Sequence, residues 1–188
     1  LNTFTFTGSP KIAAVAPFTQ PTGYTGTTLP TTYGSGYFNG STGYLQLSGT
    51  TPSLAFGTNS FTVEFWFYAF SNTGTQQLVD GRPTGTASNA QYVCLSYLSG
   101  SVNYYTAGLS PAISGGAVTP NMWNHVALTR SGTNTRLFIN GTQVGSTYTD
   151  SQSYLNGLSR PIFGTDGNAP GNAFLNGYIT DIRMINGT

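Results

Sequence analysis

Alternating apolar and polar positions dominate the chain from Tyr37 onward. The longest such run covers residues 61 to 68, Phe-Thr-Val-Glu-Phe-Trp-Phe-Tyr, and a period of two places successive residues on opposite faces of a β-strand. One face would carry Phe61, Val63, Phe65 and Phe67, and the other Thr62, Glu64, Trp66 and Tyr68. The pattern therefore predicts a strand with one core face and one face that is polar but rich in aromatic rings.

Other short runs of β-favouring residues, separated by turn residues, predict the rest of an all-β fold. They lie at 44 to 47, 77 to 79, 91 to 97, 102 to 105 and, at the end of the chain, 178 to 185. Residues 124 to 130 and 135 to 140 flank a turn cluster and predict a hairpin. Asn140-Gly141 then predicts a type I′ turn before a strand at 142 to 144. Many short strands with turns between them are typical of a β-sandwich.

The first 36 residues differ from the rest of the chain. They are rich in Thr, Pro and Gly, with prolines at 10, 17, 21 and 30, and proline favours extended conformations and lacks a backbone donor. We expect residues 1–36 to form an extended arm with one short strand at 2 to 7. Such an arm could pack along a neighbouring subunit, which predicts a homo-oligomer or another assembled partner.

Charge and composition exclude several classes of function. Charged residues are 6% of the chain, against about 25% in an average soluble domain, and the net charge is +1. The single lysine, Lys11, and the scattered arginines form no basic stripe, so nucleic acid is not an expected partner. No apolar run reaches the roughly 20 residues needed to cross a bilayer, so membrane insertion is not expected. Cys94 has no second cysteine for an internal disulfide.

Four segments carry a resemblance to a known family. They are Tyr-Phe-Asn-Gly-Ser-Thr-Gly-Tyr-Leu at 37 to 45, Phe-Thr-Val-Glu-Phe-Trp-Phe at 61 to 67, Trp-Asn-His-Val-Ala-Leu at 123 to 128 with Leu-Phe-Ile-Asn-Gly at 137 to 141, and Gly-Tyr-Ile-Thr-Asp-Ile-Arg at 177 to 183. In this order they resemble the laminin-G-like jelly rolls of the concanavalin A-like lectin/glucanase superfamily. The resemblance implies a two-sheet antiparallel jelly-roll sandwich over residues 37–188, and it leaves residues 1–36 outside.

Two motifs narrow the resemblance further. Asp80-Gly81-Arg82-Pro83 and the closing Asp181-Ile182-Arg183 are similar to the versions found in bacteriophage and marine viral structural proteins. This implies a virion structural module, a tail-fibre, receptor-binding or capsid-decoration domain that contacts other virion proteins and a host surface glycan at the virion surface. The alternative is a secreted or surface-attached bacterial carbohydrate-binding or adhesion module, which would be extracellular or on the cell surface.

Enzymatic activity is not expected, and no catalytic residue is assigned. Glycoside hydrolysis normally needs two carboxyl groups that flank the scissile bond, and Glu64 is the one glutamate of the chain. The Glu-x-Asp-x-x-Glu motif of the superfamily's glucanases is absent. A pair of Glu64 with a distant aspartate remains an alternative, as does a structural role for Glu64. His125 is the one histidine, so it is interpreted as a packed strand residue rather than a metal ligand.

Candidate binding residues are aromatic side chains and aspartates. Sugars bind on aromatic rings beside polar groups, and the candidate rings are Trp66, Tyr68, Tyr97, Tyr104, Tyr105 and Tyr154. The alternative is that these rings fill the core or the surface. No cofactor is required; calcium, which prefers carboxylate and carbonyl oxygens, has candidate ligands in Asp80, Asp150 and Asp166. The alternative for these aspartates is that they shape turns through hydrogen bonds to the backbone.

Overall fold

The computed structural model describes residues 4–8, 11–13, 16–17, 34–49, 54–89, 91–106 and 110–187. Over these residues the chain folds into two antiparallel sheets of seven strands each. The predicted all-β, two-sheet jelly-roll sandwich is thereby confirmed. Within the same ranges, no helix is long and apolar enough to span a membrane.

Ten of the strands overlap predicted ones, with shifted ends, whereas the strands at Lys11–Ala13, Ser35–Asn39, Ile113–Ala117 and Ile162–Phe163 were not predicted. In chain order they are β1 (Phe4–Thr7), β2 (Lys11–Ala13), β3 (Ser35–Asn39), β4 (Tyr44–Leu47), β5 (Phe61–Ala69), β6 (Thr75–Asp80), β7 (Cys94–Leu98), β8 (Ser101–Tyr105), β9 (Ile113–Ala117), β10 (Trp123–Ser131), β11 (Asn134–Ile139), β12 (Thr142–Thr149), β13 (Ile162–Phe163) and β14 (Asn176–Asn186). The first sheet has the order β1-β4-β13-β6-β7-β8-β9, and the second has the order β12-β11-β10-β5-β14-β3-β2.

The core lies between the two sheets, and β5 shows how the sequence builds it. Phe61, Val63, Phe65 and Phe67 are each at most 1% exposed. They pack in one cluster with residues of the first sheet such as Leu95 and Val102. The intervening residues of β5 point to the opposite side and are only half-buried. The predicted division of β5 into a core face and an outer face is confirmed.

The turn between β11 and β12 is the one that the dipeptide predicts. Asn140 has φ 50° and Gly141 has φ 80°, and Ile139 pairs directly with Thr142. Two successive positive φ angles in a two-residue loop define a type I′ turn, whose twist matches that of the flanking strands.

Replacing Gly141 with valine should lower the free energy of unfolding by about 1–2 kcal/mol, because a side chain in the left-handed region is strained. A Cβ at Gly141 would meet no atom within 4 Å, so the loss would come from the backbone alone. Urea denaturation of Gly141→Val measures it, with Thr142→Val at the neighbouring exposed position as the control. Equal stability of the two variants would contradict the turn assignment.

Two short strands come from the predicted arm. β1 pairs with β4 at the edge of the first sheet, and β2 pairs with β3 at the edge of the second sheet. Phe4–Thr7 lies inside the strand predicted at 2 to 7. Of residues 1–36, the structure describes 4–8, 11–13, 16–17 and 34–36, and the arm prediction for the others lies outside the described residues.

The outer sides of the two sheets differ in exposure. On the first sheet, several side chains that point away from the core are nevertheless buried, namely Gln77, Asp80, Ser96 and Asn103. Loop residues reach this side, and the Gly167 backbone N–H donates to Asp80 at 2.9 Å. On the second sheet, the outward residues of β5 remain partly exposed. The second sheet therefore presents its outer surface to water.

Candidate functional site

Aromatic side chains form a row across the outer surface of the second sheet. Trp123 of β10 pairs with Tyr68 of β5, Tyr68 pairs with Tyr178 of β14, and Tyr178 pairs with Tyr37 of β3. Directly opposite residues on neighbouring strands have Cβ atoms about 4.5–5.5 Å apart. The register alone therefore places four rings side by side, and all four are half-buried.

These four rings and Phe70 make up what we call the aromatic cluster. Trp123, Tyr178 and Tyr37 follow one another with centroid separations of 6.1 and 5.5 Å and interplanar angles of 33° and 47°. Tyr68 and Phe70 meet Tyr178 edge-on, at 5.9 and 5.3 Å with angles of 68° and 76°. Edge-to-face contacts at these distances are attractive. Two rings thus support the orientation of the other three.

A glycine allows the strands that carry the row to approach each other. A Cβ at Gly177 would collide with the carbonyl oxygen of Tyr68. Gly177 directly precedes Tyr178 and pairs with Ala69. Since a larger residue would push β14 away from β5, Gly177 is required for the contact between Tyr68 and Tyr178.

A polar cluster lies beyond the rings, one row further along the strands at His125 and two rows further at Glu64 and Arg183. It consists of Glu64, His125, Asp181 and Arg183. Glu64 Oε2 lies 3.4 Å from His125 Nε2, and Glu64 Oε1 lies 3.4 Å from Arg183 Nη1. Arg183 Nη2 lies 3.5 Å from Asp181 Oδ2. Trp66 joins the two clusters, since its ring centroid is 5.1 Å from that of His125 and it lies two positions from Tyr68 on the same face of β5.

A β-bulge brings Arg183 into this cluster. Thr180 pairs with Trp66, but the next pair is Arg183 with Glu64, so β14 contains one more residue than β5 between the two pairs. Asp181 sits in the bulge with φ 50°. Bulges redirect the side chains that follow them. The bulge therefore sets Arg183 beside Glu64 on the outer surface, where strict alternation would have placed Ile182.

The predicted aromatic site residues do not form one site. Trp66 and Tyr68 lie on the outer surface of the second sheet, whereas Tyr105 lies on the outer side of the first sheet, opposite Cys94. Tyr97, Tyr104 and Tyr154 are at most 1% exposed. The prediction is corrected for these three, because their rings fill the core and offer no face to a ligand. Burial raises the pKa of Tyr97.

The Asp80-Gly81-Arg82-Pro83 motif forms a buried ion-pair network. Arg82 Nη2 donates to Asp80 at 2.7 Å and to Asp166 at 3.0 Å, and Arg82 Nε also donates to Asp80. Asp80 is fully buried and accepts two more bonds from the backbone N–H groups of Arg82 and Gly167. Burial acts to lower the pKa of Arg82, but its hydrogen bonds to Asp80 and the charge of that carboxylate outweigh burial and raise it.

Arg160 joins this network to the loops. Its guanidinium donates to the carbonyl oxygens of Arg82 and Gly167, both at 2.6 Å, and to Thr84 Oγ1 at 3.1 Å. Burial lowers the pKa of Arg160. Because Arg82 and Arg160 are saturated with protein acceptors, the motif is a structural clamp on the loops that cover the first sheet.

Asp150 organises a second buried network at the other end of the core. Its Oδ2 accepts from Thr135 at 2.9 Å and from the Tyr154 hydroxyl at 2.5 Å, and Arg130 Nε lies 3.7 Å away. Since Tyr154 donates its proton to Asp150, the hydroxyl of Tyr104 donates to the oxygen of Tyr154. Burial raises the pKa of Tyr104 and of Tyr154, and the bond to Asp150 raises that of Tyr154 further.

The three candidate calcium ligands therefore have protein partners. Asp80 and Asp166 share Arg82, and Asp150 lies with Thr135 and Tyr154. Asp166 also shapes its own loop, because its Oδ1 accepts from the N–H groups of Asn168 and Ala169. In the described part of the chain, no three His, Cys, Asp or Glu side chains come together as a metal-binding group.

The sequence interpretation missed most of the aromatic cluster. Tyr37, Phe70, Trp123 and Tyr178 were not among the candidate residues, although three of them lie in the segments that carry the family resemblance. The missing information was the register between strands. Trp123 and Tyr178 are 55 positions apart in sequence and become neighbours only through their common partner Tyr68.

Comparison with known proteins places the chain among sandwiches of this architecture. The family model described as Laminin_G_3, concanavalin A-like lectin/glucanases superfamily, matches residues 39–188. Botulinum neurotoxin type C, in a study of its interaction with two ganglioside molecules, matches with a TM-score of 0.63 and 14% identity, covering 99% of this chain and 43% of the toxin chain. No curated protein matches the sequence.

Two further structures are similar. Domain 4 of AbnA, an extracellular arabinanase from Geobacillus stearothermophilus solved with arabinotriose, has a TM-score of 0.59 and 16% identity, covering 98% of this chain and 82% of that one. Domains LG4-5 of the mouse laminin alpha1 chain have a TM-score of 0.57 and 16% identity, covering 80% and 40%. The chain spans less than half of the neurotoxin and laminin chains. At these identities the likeness shows a shared fold.

Proposed function

Because the chain belongs to the concanavalin A-like lectin/glucanases superfamily, we propose that it is a carbohydrate-binding module that binds glycans without cleaving them. Its binding surface is the outer surface of the second sheet, where the aromatic cluster and the polar cluster lie side by side. The observation that carries this proposal is the row of partly exposed rings from Trp123 to Tyr37, joined through Trp66 to Glu64 and Arg183.

The chemistry of this surface suits sugars. A sugar ring has apolar C–H faces that pack on aromatic rings and hydroxyl groups that need hydrogen-bond partners. Rings on a sheet have few rotatable bonds, so little conformational entropy is lost when they bind a ligand. Glu64 offers acceptors and Arg183 offers donors beside the rings. The same surface therefore offers both aromatic rings for stacking and polar groups for hydrogen bonds.

The similar structures support the same proposal. The neurotoxin is described as interacting with gangliosides, and the arabinanase domain was solved with arabinotriose. Both descriptions concern a glycan bound by a protein with this sandwich fold. They make carbohydrate the first class of ligand to test on this chain.

The contacts of Glu64 support binding without cleavage. Hydrolysis by retention or inversion normally needs a second carboxyl group facing the first across the bond. Glu64 contacts His125 and Arg183, and the nearby Asp181 contacts Arg183. Both carboxylates are thus held by cations on one surface. Sugar release from a panel of glucans that was lost in Glu64→Gln would overturn this part of the proposal.

We place the module on a virion surface, as a tail-fibre, receptor-binding or capsid-decoration domain that contacts other virion subunits. The similarity of Asp80-Gly81-Arg82-Pro83 and the Asp-Ile-Arg of β14 to viral structural proteins supports this context. A bacterial adhesion module at the cell surface would use the same binding chemistry. Antibody labelling of particles and cells from the native source separates the virion context from the bacterial one. We expect regular labelling of virions, and labelling of bacterial surfaces alone would favour the alternative.

Trp123→Ala should weaken glycan binding about tenfold or more, because loss of one stacked ring removes on the order of 1–2 kcal/mol. A glycan array identifies the ligand, and calorimetry then measures its affinity. Tyr105→Ala is the matched control, since Tyr105 is half-buried on the other sheet, and it should bind as the wild type does. Trp123→Phe, which keeps a ring, should retain most of the affinity.

The opposite pattern would contradict the proposed surface. If Tyr105→Ala abolished binding and Trp123→Ala did not, the outer side of the first sheet would be the binding site. If no glycan bound the wild-type chain, the proposed function would be wrong. Circular dichroism of each variant confirms that the comparison is made between folded proteins.

A further inference from the structure

We propose that the ligand of this surface is an uncharged polysaccharide, bound along the interior of its chain with three or more consecutive sugar units over Trp123, Tyr178 and Tyr37. This inference rests on the glycan-binding function proposed above and specifies its ligand class. It excludes recognition of a single terminal sugar and of acidic glycans as the principal ligand.

The spacing of the rings indicates several sugar units in a line. Trp123, Tyr178 and Tyr37 are separated by 6.1 and 5.5 Å between centroids, which is close to the length of one sugar unit in an extended chain. Their planes turn by 33° and 47° from one ring to the next. A ligand that stacks on all three must therefore be extended and twisted from unit to unit, and a single sugar covers only one of them.

The rings stand on the outer surface of the second sheet, where the outward side chains of β5 are only partly buried. The row crosses from β10 over β5 to β14 and β3, and Tyr37 pairs with exposed Lys11 on β2 beyond it. A terminal sugar is usually bound in a concave pocket that surrounds it. Here the described rings form a row across neighbouring strands, along which a chain can continue in both directions.

The charges of this surface favour an uncharged ligand. Arg183 is engaged by Glu64 at 3.4 Å and by Asp181 at 3.5 Å, and His125 lies against Glu64 at 3.4 Å. An acidic sugar needs a cation that can pair with its carboxylate or sulfate, and beside the rings the one arginine, Arg183, is already paired with two carboxylates. Arg136 also faces outward, but it lies opposite Thr129, six positions from Trp123 along β10 and away from the rings. Lys11 is exposed, and an ion pair between exposed groups contributes at most about 1 kcal/mol.

The test compares oligosaccharides of increasing length by calorimetry. Cello-, xylo- and arabino-oligosaccharides of one to six units are the uncharged probes, and heparin and polygalacturonate are the acidic ones. In at least one uncharged series we expect affinity to rise several-fold with each unit up to three or four units and then to level off. Neither acidic polymer should bind measurably at physiological salt.

Two variants locate the ends of the ligand. Tyr37→Ala should weaken binding of the three-unit and longer probes about tenfold and leave the two-unit probe unchanged, because Tyr37 is the last ring of the row. Tyr178→Ala, at the middle ring, should weaken every probe that binds. Tyr105→Ala should change none of these affinities.

The outcomes separate this inference from the proposed function. If a monosaccharide binds as tightly as the six-unit probe, or if the acidic polymers bind more tightly than every uncharged probe, the ligand class is wrong while glycan binding stands. If no glycan binds the folded chain, the proposed function itself is wrong. Affinity that rises with length in the wild type but equally in Tyr37→Ala would overturn the placement of the chain on the three rings.

Discussion

Asp80→Asn is expected to lower the free energy of unfolding by about 3–5 kcal/mol, the usual effect of removing one member of a buried ion pair. Asp80 is fully buried and accepts from three donors of Arg82, its backbone N–H, Nε and Nη2, and from the backbone N–H of Gly167. Asparagine keeps the shape but loses the charge, and its amide group would face donors. Arg82 would then remain buried with Asp166 as its one carboxylate partner.

Urea denaturation followed by circular dichroism measures this loss. Asp181→Asn is the matched control, because Asp181 is exposed and lies 3.5 Å from an exposed arginine. That variant should change the free energy of unfolding by less than about 1 kcal/mol. A loss below 1 kcal/mol in Asp80→Asn would show that the clamp between the motif and the loops does not stabilise the fold.

Raising the pH above 10 is expected to lower the free energy of unfolding, because two tyrosine hydroxyls are buried in the folded protein. Burial raises the pKa of Tyr104 and Tyr154, whereas a tyrosine in the unfolded chain ionises near pH 10. Above that pH the folded state holds protons that the unfolded state releases, so stability falls as pH rises. The stabilisation by the protonated tyrosines is fully present below pH 10. Above that pH the free energy of unfolding falls by about 1.4 kcal/mol per pH unit for each tyrosine.

Urea midpoints between pH 9 and pH 11.5 measure this slope. The Cys94→Ala background is used throughout, since burial also raises the pKa of the Cys94 thiol and would add a loss at lower pH. Tyr104→Phe in that background should make the decline shallower by about 1.4 kcal/mol per pH unit. Identical slopes with and without the Tyr104 hydroxyl would contradict the assignment of the effect to this network.

The fold was predictable because its signals are local. Alternation over residues 61 to 68 identified the central strand of the second sheet and the face that it buries. The Asn140-Gly141 dipeptide identified the turn and its type, because only a few residues tolerate two successive positive φ angles. Both signals lie within a few residues, so they need no knowledge of which strands pair.

The candidate site was only partly predictable because it depends on register. Trp66 and Tyr68 could be assigned to an outer face from alternation alone. Their neighbours Trp123 and Tyr178 come from distant strands, and Arg183 reaches the surface only through the bulge at Asp181. A bulge shifts the alternation by one residue, and nothing in the residue types of β14 marks where this happens.

The buried tyrosines show where residue type misled the interpretation. Tyr97 lies two positions after Leu95, and Tyr104 lies two positions after Val102. Each tyrosine therefore shares a strand face with an aliphatic residue. That pattern indicates a core position. Grouping the tyrosines by chemical type instead of by strand face joined core rings with surface rings in one candidate site.

The alternation of β5 has a consequence for how this domain can diversify. Its odd-numbered residues from Phe61 to Phe67 hold the sandwich together, while its even-numbered residues from Glu64 to Tyr68 face outward. Substitutions at the outward positions leave the packing of the inward ones in place. Ligand preference can therefore drift among related domains, or be re-engineered in this one, while the scaffold stays constant.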